Sequence, residues 1–339
     1  MRNKTRLIFN ALAEQIATIN GVGSVAEKFS VEPTVQQTLE TRIQESSGFL
    51  SRVNLIGVTE QSGEKLGLGV GNPIASTTNT TTTDRATKDP HALDQTGYVC
   101  TQTNSDTHLT YAKLDAWAKF PDFQTRVRDA IIRRQALDRM MIGFNGVSRA
   151  ATSNPALNPL LQDVNKGWLQ HYREQAPARV MTGVATAGSV KVGPDASNDF
   201  KNLDALVMDA VNGMIDTWYQ DDTDLVAVLG RDLLHDKYFP LVNRVAPATE
   251  QLAADLIISQ QRVGGLSAVR VPFVPAKTIL ITRLDNLSIY WQEQARRRML
   301  LDNPKRDRIE NYESSNDAYV IEDFGAGCLI ENIVVQEAA

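Results

Sequence analysis

The segment Asp122 to Gly146, DFQTRVRDAIIRRQALDRMMIGFNG, constrains the fold more than any other, because it reads as one long amphipathic helix. Phe123, Val127, Ala130, Ile131, Leu137 and Met141 recur near the helical period that puts them on one face, and only Arg134 interrupts the stripe. Pro121 suits the helix start, Asp122 and Asp129 lie toward its positive end, and Gly143 and Gly146 are expected to supply a left-handed stop. A helix of roughly 22 residues spans on the order of 33 Å. Such an element is a spine, not a catalytic loop.

A chain of 339 residues can bury a substantial core, and its length suggests about two domains. With 42% hydrophobic and 22% charged residues, neither wholesale disorder nor a coiled coil fits. Its 35 Lys and Arg against 40 Asp and Glu give a net charge of -5, which argues against a protein whose main task is to grip phosphate backbone. Any contact with nucleic acid should be weak or local. Cys100 and Cys328 lie too far apart in sequence for a zinc knuckle and are too few for a disulfide scaffold, so a reducing cytoplasm is the default. Asn10, Glu14 and Gln15 break the apolar run that a secretion signal needs, and no later segment approaches the ~20 apolar residues of a membrane span. A soluble chain is expected.

Leu7, Ala11, Leu12, Ile16 and Ile19 form a helical stripe ended by Gly21-Val-Gly23, and this first helix reads as separable from the rest. Thr34 to Leu50 is a polar arm with a short helix. Residues from Val53 to Tyr111 read as extended, with turn signals at Gln61-Ser-Gly-Glu64 and a Thr-rich tip from Ser76 to Thr83. Neither set of alternate positions from Val99 to Tyr111 looks like a core. A hairpin that long is too extended to be stabilised by its own chain, so it is expected to lie on a neighbouring subunit. Asn158 to Val180 reads as helical around Trp168. Then come a helix from Leu203 to Met214, a buried strand Leu225 to Leu229, and a helix Arg231 to Tyr238. Strands Val269 to Val271, Thr278 to Thr282 and Leu287 to Trp291 follow, and the block reads as an α+β domain around a mixed sheet. Ala318 to Phe324 and Cys328 to Val335 are the last two strands.

The chemistry-bearing motifs fail one by one. Gly67, Gly69 and Gly71 loosely resemble a dinucleotide loop, yet Asn72-Pro73 follows where a helix should begin, so a flexible strand end is the better reading. His91, His108, His171 and His235 lack metal-site spacing, and neither cysteine sits in a nucleophile signature. No catalytic residue, cofactor or metal is assigned. Arg296, Arg297 and Arg298, with Lys305, Arg306 and Arg308, form a basic cluster. The stretch from residue 310 onward carries Glu310, Glu313, Asp317, Glu322, Asp323, Glu331 and Glu337 and no Lys or Arg. A solvated face is the plain alternative, but opposed patches favour pairing between subunits, with Arg296, Arg297, Arg298, Lys305, Arg306, Glu310 and Glu313 as the candidate contacts.

A series of short motifs runs along the chain: Val31-Glu-Pro33, Gln44-Glu-Ser-Ser47, Gly69 to Thr78, Gly143-Phe-Asn-Gly146, Leu161-Gln-Asp-Val164, Gly167-Trp-Leu169 and Ala176-Pro-Ala-Arg-Val180. It continues through Leu203 to Ala210, Asp236-Lys-Tyr-Phe-Pro240, Ala253-Ala254, Val269-Arg-Val-Pro272, Glu310-Asn-Tyr-Glu-Ser314 and Ala326-Gly-Cys328, in order over nearly the whole chain. Together these motifs resemble the major capsid proteins of tailed phages with the Hong Kong 97-like fold, of the peduovirus type.

The resemblance implies an α+β subunit in six spans: a removable N-terminal segment at 1–29, an N-arm at 30–52 and an extended β-hairpin loop at 53–112. A peripheral domain follows at 113–199 with the spine helix at 122–143, then an axial domain at 200–305 and C-terminal strands returning to the peripheral domain at 306–339. It further implies a non-enzymatic virion protein assembled in the bacterial cytoplasm, forming pentamers and hexamers of an icosahedral head around double-stranded DNA held by weak contacts. Its implied partners are other copies of itself, a scaffolding protein, a prohead protease and a portal protein at one vertex, with no membrane. Proteolytic trimming is expected near Phe29 and Ser30. The readings from other classes are an α/β enzyme with a ligand site between Leu203 and Trp291 and an encapsulin-type shell. A titratable pocket would favour the first; the separable N-terminal helix weighs against the second.

Overall fold

A computed structural model describes residues 1–64, 67–70, 75–87, 91–94, 97–117, 120, 123–242 and 261–336. Its helices among these residues are α1 (Asn3–Ile19), α2 (Pro33–Glu45), α3 (Tyr111–Trp117), α4 (Phe123–Asn145), α5 (Trp168–Gln175), α6 (Leu203–Met214) and α7 (Arg231–Val242). Pro33 sits at the first turn of α2, where its missing N–H costs nothing, and the Glu32 carboxylate accepts from Thr34 N at 3.0 Å to cap that end. The residues expected to open the spine helix, Pro121 and Asp122, lie outside the described residues, as do Ala253-Ala254 and parts of the hairpin.

Two sheets organise the subunit. The six-stranded one runs Arg262–Val263, Leu266–Arg270, Val226–Leu229, Ile279–Thr282, Gly327–Ile330, Val180–Met181, with parallel and antiparallel neighbours mixed as expected. Strand alternation turns Val226, Val228, Leu280 and Leu329 into one apolar core, and Ala227, Leu229, Ile279, Ile281, Cys328 and Ile330 into a second core under α6. One sheet therefore separates two cores, which is why its strands read as unbroken apolar runs.

The seven-stranded sheet is built around Arg308–Ile321, a strand of 14 residues. Its path runs Phe29–Ser30, Arg297–Asn303, Arg308–Ile321, Leu287–Gln292, Asn54–Val58, and Thr101–Asn104 and Thr107–Thr110 also pair with the long strand. Two expectations change here. Residues 101–110 do not extend a limb over a neighbour; they pair with their own chain, from Asp317↔Thr101 to Arg308↔Thr110, which satisfies their backbone locally. Likewise Leu287–Gln292 and Arg297–Asn303, placed with the 200–305 block, belong to this second sheet, because their hydrogen-bond partner is the long strand.

The spine helix has the expected length, and Met141 and Leu137 of the expected stripe do lie on the core, but the buried face is wider and turned from it: Ile132, Gln135, Ala136, Arg139, Met140, Ile142 and Phe144 are also buried, whereas Ala130 is exposed. Gly143 and Gly146 also act differently from expectation, since neither adopts a positive φ. A Cβ on Gly143 would lie 2.3 Å from a Trp168 ring carbon, and one on Gly146 would lie 2.1 Å from the Asn165 carbonyl oxygen. These glycines permit close approach rather than a left-handed stop. Trp168, fully buried, donates its indole N–H to Ser288 O at 3.0 Å and meets Phe144 and Tyr319 edge-on, so it ties spine, α5 and sheet together. The helix expected over Asn158 to Val180 is only α5, and residues before it run in turns that include Leu161 at φ 58°.

Candidate assembly surfaces

Five charged side chains, all nearly inaccessible to solvent, join the arm, the spine and the long strand. Glu40 of α2 accepts from Arg139 of α4 and, at 2.7 Å, from Arg296. Arg139 reaches Asp317 at 3.2 Å, and Arg296 donates through Nε to Glu313 at 2.8 Å and through Nη2 to Gln135 at 3.0 Å. Burial alone would push the Glu40 carboxyl up, yet Arg139 and Arg296 outweigh it and hold it below the usual range. Glu313 is likewise lowered against its burial by Arg296 and Arg298. At Asp317 burial prevails and the carboxyl is raised.

This network corrects the reading of the charged cluster. The Arg297–Asn303 strand runs antiparallel to Arg308–Ile321, with Arg298 opposite Glu313 and Leu301 opposite Glu310, so basic and acidic runs face each other inside one subunit. Arg296 and Glu313 are therefore interior rather than available to a neighbour. Glu310 accepts from Tyr312 OH at 2.8 Å and Arg308 Nε at 2.7 Å, contacts that lower its carboxyl, and Arg298 Nε donates to Asn311 Oδ1 at 2.8 Å. Arg297, Lys305 and Arg306 remain exposed, the last two on a 3-10 turn, Pro304–Arg306. Sequence reasoning missed Glu40, Arg139 and Gln135; the signal was a Glu on the arm and an Arg on the spine at positions that turn inward.

Phe29 and Ser30, the expected processing junction, form a two-residue strand at the sheet edge, paired Phe29↔Arg298 and Ser30↔Arg297. Phe29 is buried and Ser30 exposed. The N-terminal helix is not detached: α1 lays Phe9, Ala13, Ile16 and Ala17 against a third apolar cluster of Val25, Phe29, Val31, Tyr111, Leu114, Leu300 and Ile309. That cluster is distinct from the two larger cores.

Solvent-facing apolar residues include Trp218 at 51% exposure and Met208 at 56%, neither of which the subunit itself needs for a core. A groove of about 420 Å³ lies between the arm, the spine and the Leu266–Arg270 strand, lined by Phe49, Leu137, Met140 and Pro272 with Arg133 and Arg270 at its rim. A second groove, about 280 Å³, is lined by Tyr98, Arg149, Lys166 and His171. Burial lowers the His171 imidazole, against the opposing effect of Glu174. Both cysteines are buried, and burial pushes each thiol up to about 12. Among the described residues no cluster of His, Cys, Asp and Glu could hold a metal ion, and no helix is long and apolar enough to cross a membrane.

What these features define is a subunit with two main sheets, a long helix and exposed grooves and apolar residues, the class of phage shell subunits. Phage major capsid proteins of the P2 family match residues 8–333, and the chain belongs to that family. It is 53% identical over 344 aligned positions to the capsid proteins of Escherichia phage P2, covering 99% of the chain and 96% of that relative. The major capsid protein of Serratia phage KSP20 is 41% identical over 339 positions, covering 98% and 97%. Among solved structures, a chain of the satellite phage P4 procapsid, which includes the size determination (Sid) protein, superposes with a TM-score of 0.83 at 50% identity, each chain covered completely. The capsid of a native GTA particle, at TM-score 0.50 and 17% identity over 85% of this chain and 91% of that one, shares the fold. The protein is thus a phage major capsid protein with the Hong Kong 97-like fold, a component of the virion.

Proposed function

We propose that copies of this chain assemble as pentamers and hexamers, close into an icosahedral head around double-stranded DNA, and are trimmed near Phe29 and Ser30 during maturation. The observation that carries this reading is the complete two-way coverage of the P4 procapsid chain at 50% identity, which extends through the N-terminal segment to the C-terminal strands. Assembly takes place in the bacterial cytoplasm with a scaffolding protein, a prohead protease and a portal protein. A net charge of -5 supports loose contact with the packaged genome, since tight salt-sensitive binding would hinder packing and release. Many modest interfaces suffice because each subunit is held by several neighbours at once.

Negative-stain microscopy of the purified chain, expressed with and without its scaffolding and protease partner, tests assembly. Closed particles, tubes or capsomers are expected; a small monomer or dimer in both samples overturns the reading. Terminal sequencing of DNA-filled heads tests trimming, for which a new terminus near Ser30 is expected and an intact Met1 or Arg2 is decisive against.

A further inference from the structure

The expected junction is held shut by the segment that trimming would remove. Residues 20 to 32 form a loop stitched at several points. Asn20, which ends α1, accepts from Glu32 N through Oδ1 at 3.1 Å and donates to Ile16 O through Nδ2 at 2.8 Å. Inside that loop Leu300 N donates to Val25 O at 2.8 Å, Val31 N to Arg296 O at 2.9 Å, and Ser30 Oγ to Gln294 O at 2.8 Å. Between the buried anchors Val25 and Phe29 only Ala26, Glu27 and Lys28 face solvent.

Val25, Phe29 and Val31 share their apolar cluster with α1 residues Phe9, Ala13, Ile16 and Ala17. The same helix is fastened by Arg6 to Asp302, by the Arg2 N–H to the Asp115 carboxylate at 3.0 Å, and indirectly by Tyr111, whose hydroxyl donates to Asp302. A protease binds its substrate as an extended strand several residues long, making main-chain hydrogen bonds to it. Phe29 already pairs with Arg298 at the sheet edge, and the Val31 N–H is spent on Arg296 O. Three free residues between two anchors are too few to thread an active site.

We infer that α1 is a latch: the Phe29–Ser30 bond becomes open to proteolysis only when α1 lifts from its seat on Tyr111, Leu114, Leu300 and Ile309. The inference rests on the trimming reading for its biological use, but the accessibility it describes is a property of the folded chain. The step itself is hydrolysis by a separate protease: water adds across the amide, leaving a carboxylate on Phe29 and an amine on Ser30. Lifting α1 frees Val25 and Phe29 together, because they lose the apolar partners that hold them.

Chymotrypsin, which cuts after aromatic residues, reports directly on this bond in the full-length unassembled chain, with appearance of a product beginning at Ser30 as the readout. Cleavage of an opening segment follows the population of its open form, so weakening the seat should raise the rate in proportion. Ile16→Asp, on the seated face, and Arg6→Ala, on the surface, are each expected to accelerate that cut, the first by about tenfold or more. Leu7→Asp, on the outward face where Leu7 is 70% exposed, is expected to leave it unchanged. A persistent fragment starting at Ser30 shows that the body stays folded; should Ile16→Asp unfold it, Arg6→Ala still decides. Rapid cutting of the wild-type chain at this bond, or no acceleration in Arg6→Ala, overturns the latch. Intact termini in DNA-filled heads would instead remove the trimming reading and leave the accessibility result standing.

Discussion

Glu40 of α2 and Arg139 of the spine helix form an ion pair across the interior of the subunit, with side chains only 3% and 6% exposed. Two charges withdrawn from water are costly, and here the cost is offset because each has a second partner, Arg296 for Glu40 and Asp317 for Arg139. Removing one member leaves uncompensated charge in a dry site. Arg139→Met is therefore expected to destabilise the subunit by about 3–5 kcal/mol, measured by urea unfolding. A loss smaller than that of a typical surface substitution would show that the network is dispensable.

The same cluster fixes the response to acid. Glu40 and Glu313 have lowered native pKa values, so their contribution is fully present above the unfolded glutamate value of about 4.3 and is lost as pH falls through the lowered native ones. Asp317 acts in the opposite sense: its raised carboxyl takes a proton early on acidification, which favours the folded state until the unfolded aspartate value of about 3.9 is passed. The unfolding midpoint should hold or rise slightly on mild acidification and fall steeply below about pH 4. Glu40→Gln should lower the plateau and flatten the acid limb. An acid limb as steep in Glu40→Gln as in the wild type would assign acid sensitivity elsewhere.

The buried network also explains which parts of the fold were legible in the sequence. The apolar strands of the six-stranded sheet declare themselves because both of their faces are covered by cores. The spine helix declares its length, but its face is rotated from the apolar reading because Gln135 and Arg139 turn inward to the network. The long strand was visible only from Ala318, since Asn311, Glu313, Ser314, Ser315 and Asp317 carry no apolar alternation although all are buried. Charge that is neutralised by partners distant in sequence leaves no local pattern. The candidate contacts were misjudged for the same reason at Arg296, Glu310 and Glu313, whereas Arg297, Lys305 and Arg306 stay at the surface.

Gly146 and Gly48 offer a matched comparison of close approach. A Cβ on Gly146 would meet the Asn165 and Ile142 carbonyl oxygens at 2.1 and 2.7 Å, both of them backbone atoms, whereas Gly48 has nothing within 4 Å. Gly146→Ala should cost about 1–3 kcal/mol by overpacking, seen as a lowered thermal midpoint. Gly48→Ala should be near neutral. Equal midpoints for the two variants would rule out the packing argument.

The hairpin offers a test that separates folding from assembly. Its root is the antiparallel pair Ser62–Glu64 with Gly97–Val99, and Tyr98 from that root meets Tyr290 edge-on at 5.0 Å, while Cys100 is buried beneath the sheet. The root is thus fixed to the subunit by its own contacts. Replacing residues 65–96 with a short Gly-Ser joint between Glu64 and Gly97 keeps every one of these contacts and both main cores. Such a chain should unfold at nearly the wild-type temperature, because none of the described core residues lies in the replaced span. If the hairpin supplies contacts between subunits, the same chain should form no closed shells when expressed with its scaffolding partner, although capsomers or small oligomers can persist through the remaining surfaces. Particles of normal diameter by electron microscopy would show that the arm, the grooves and the exposed Trp218 surface are sufficient for closure without it.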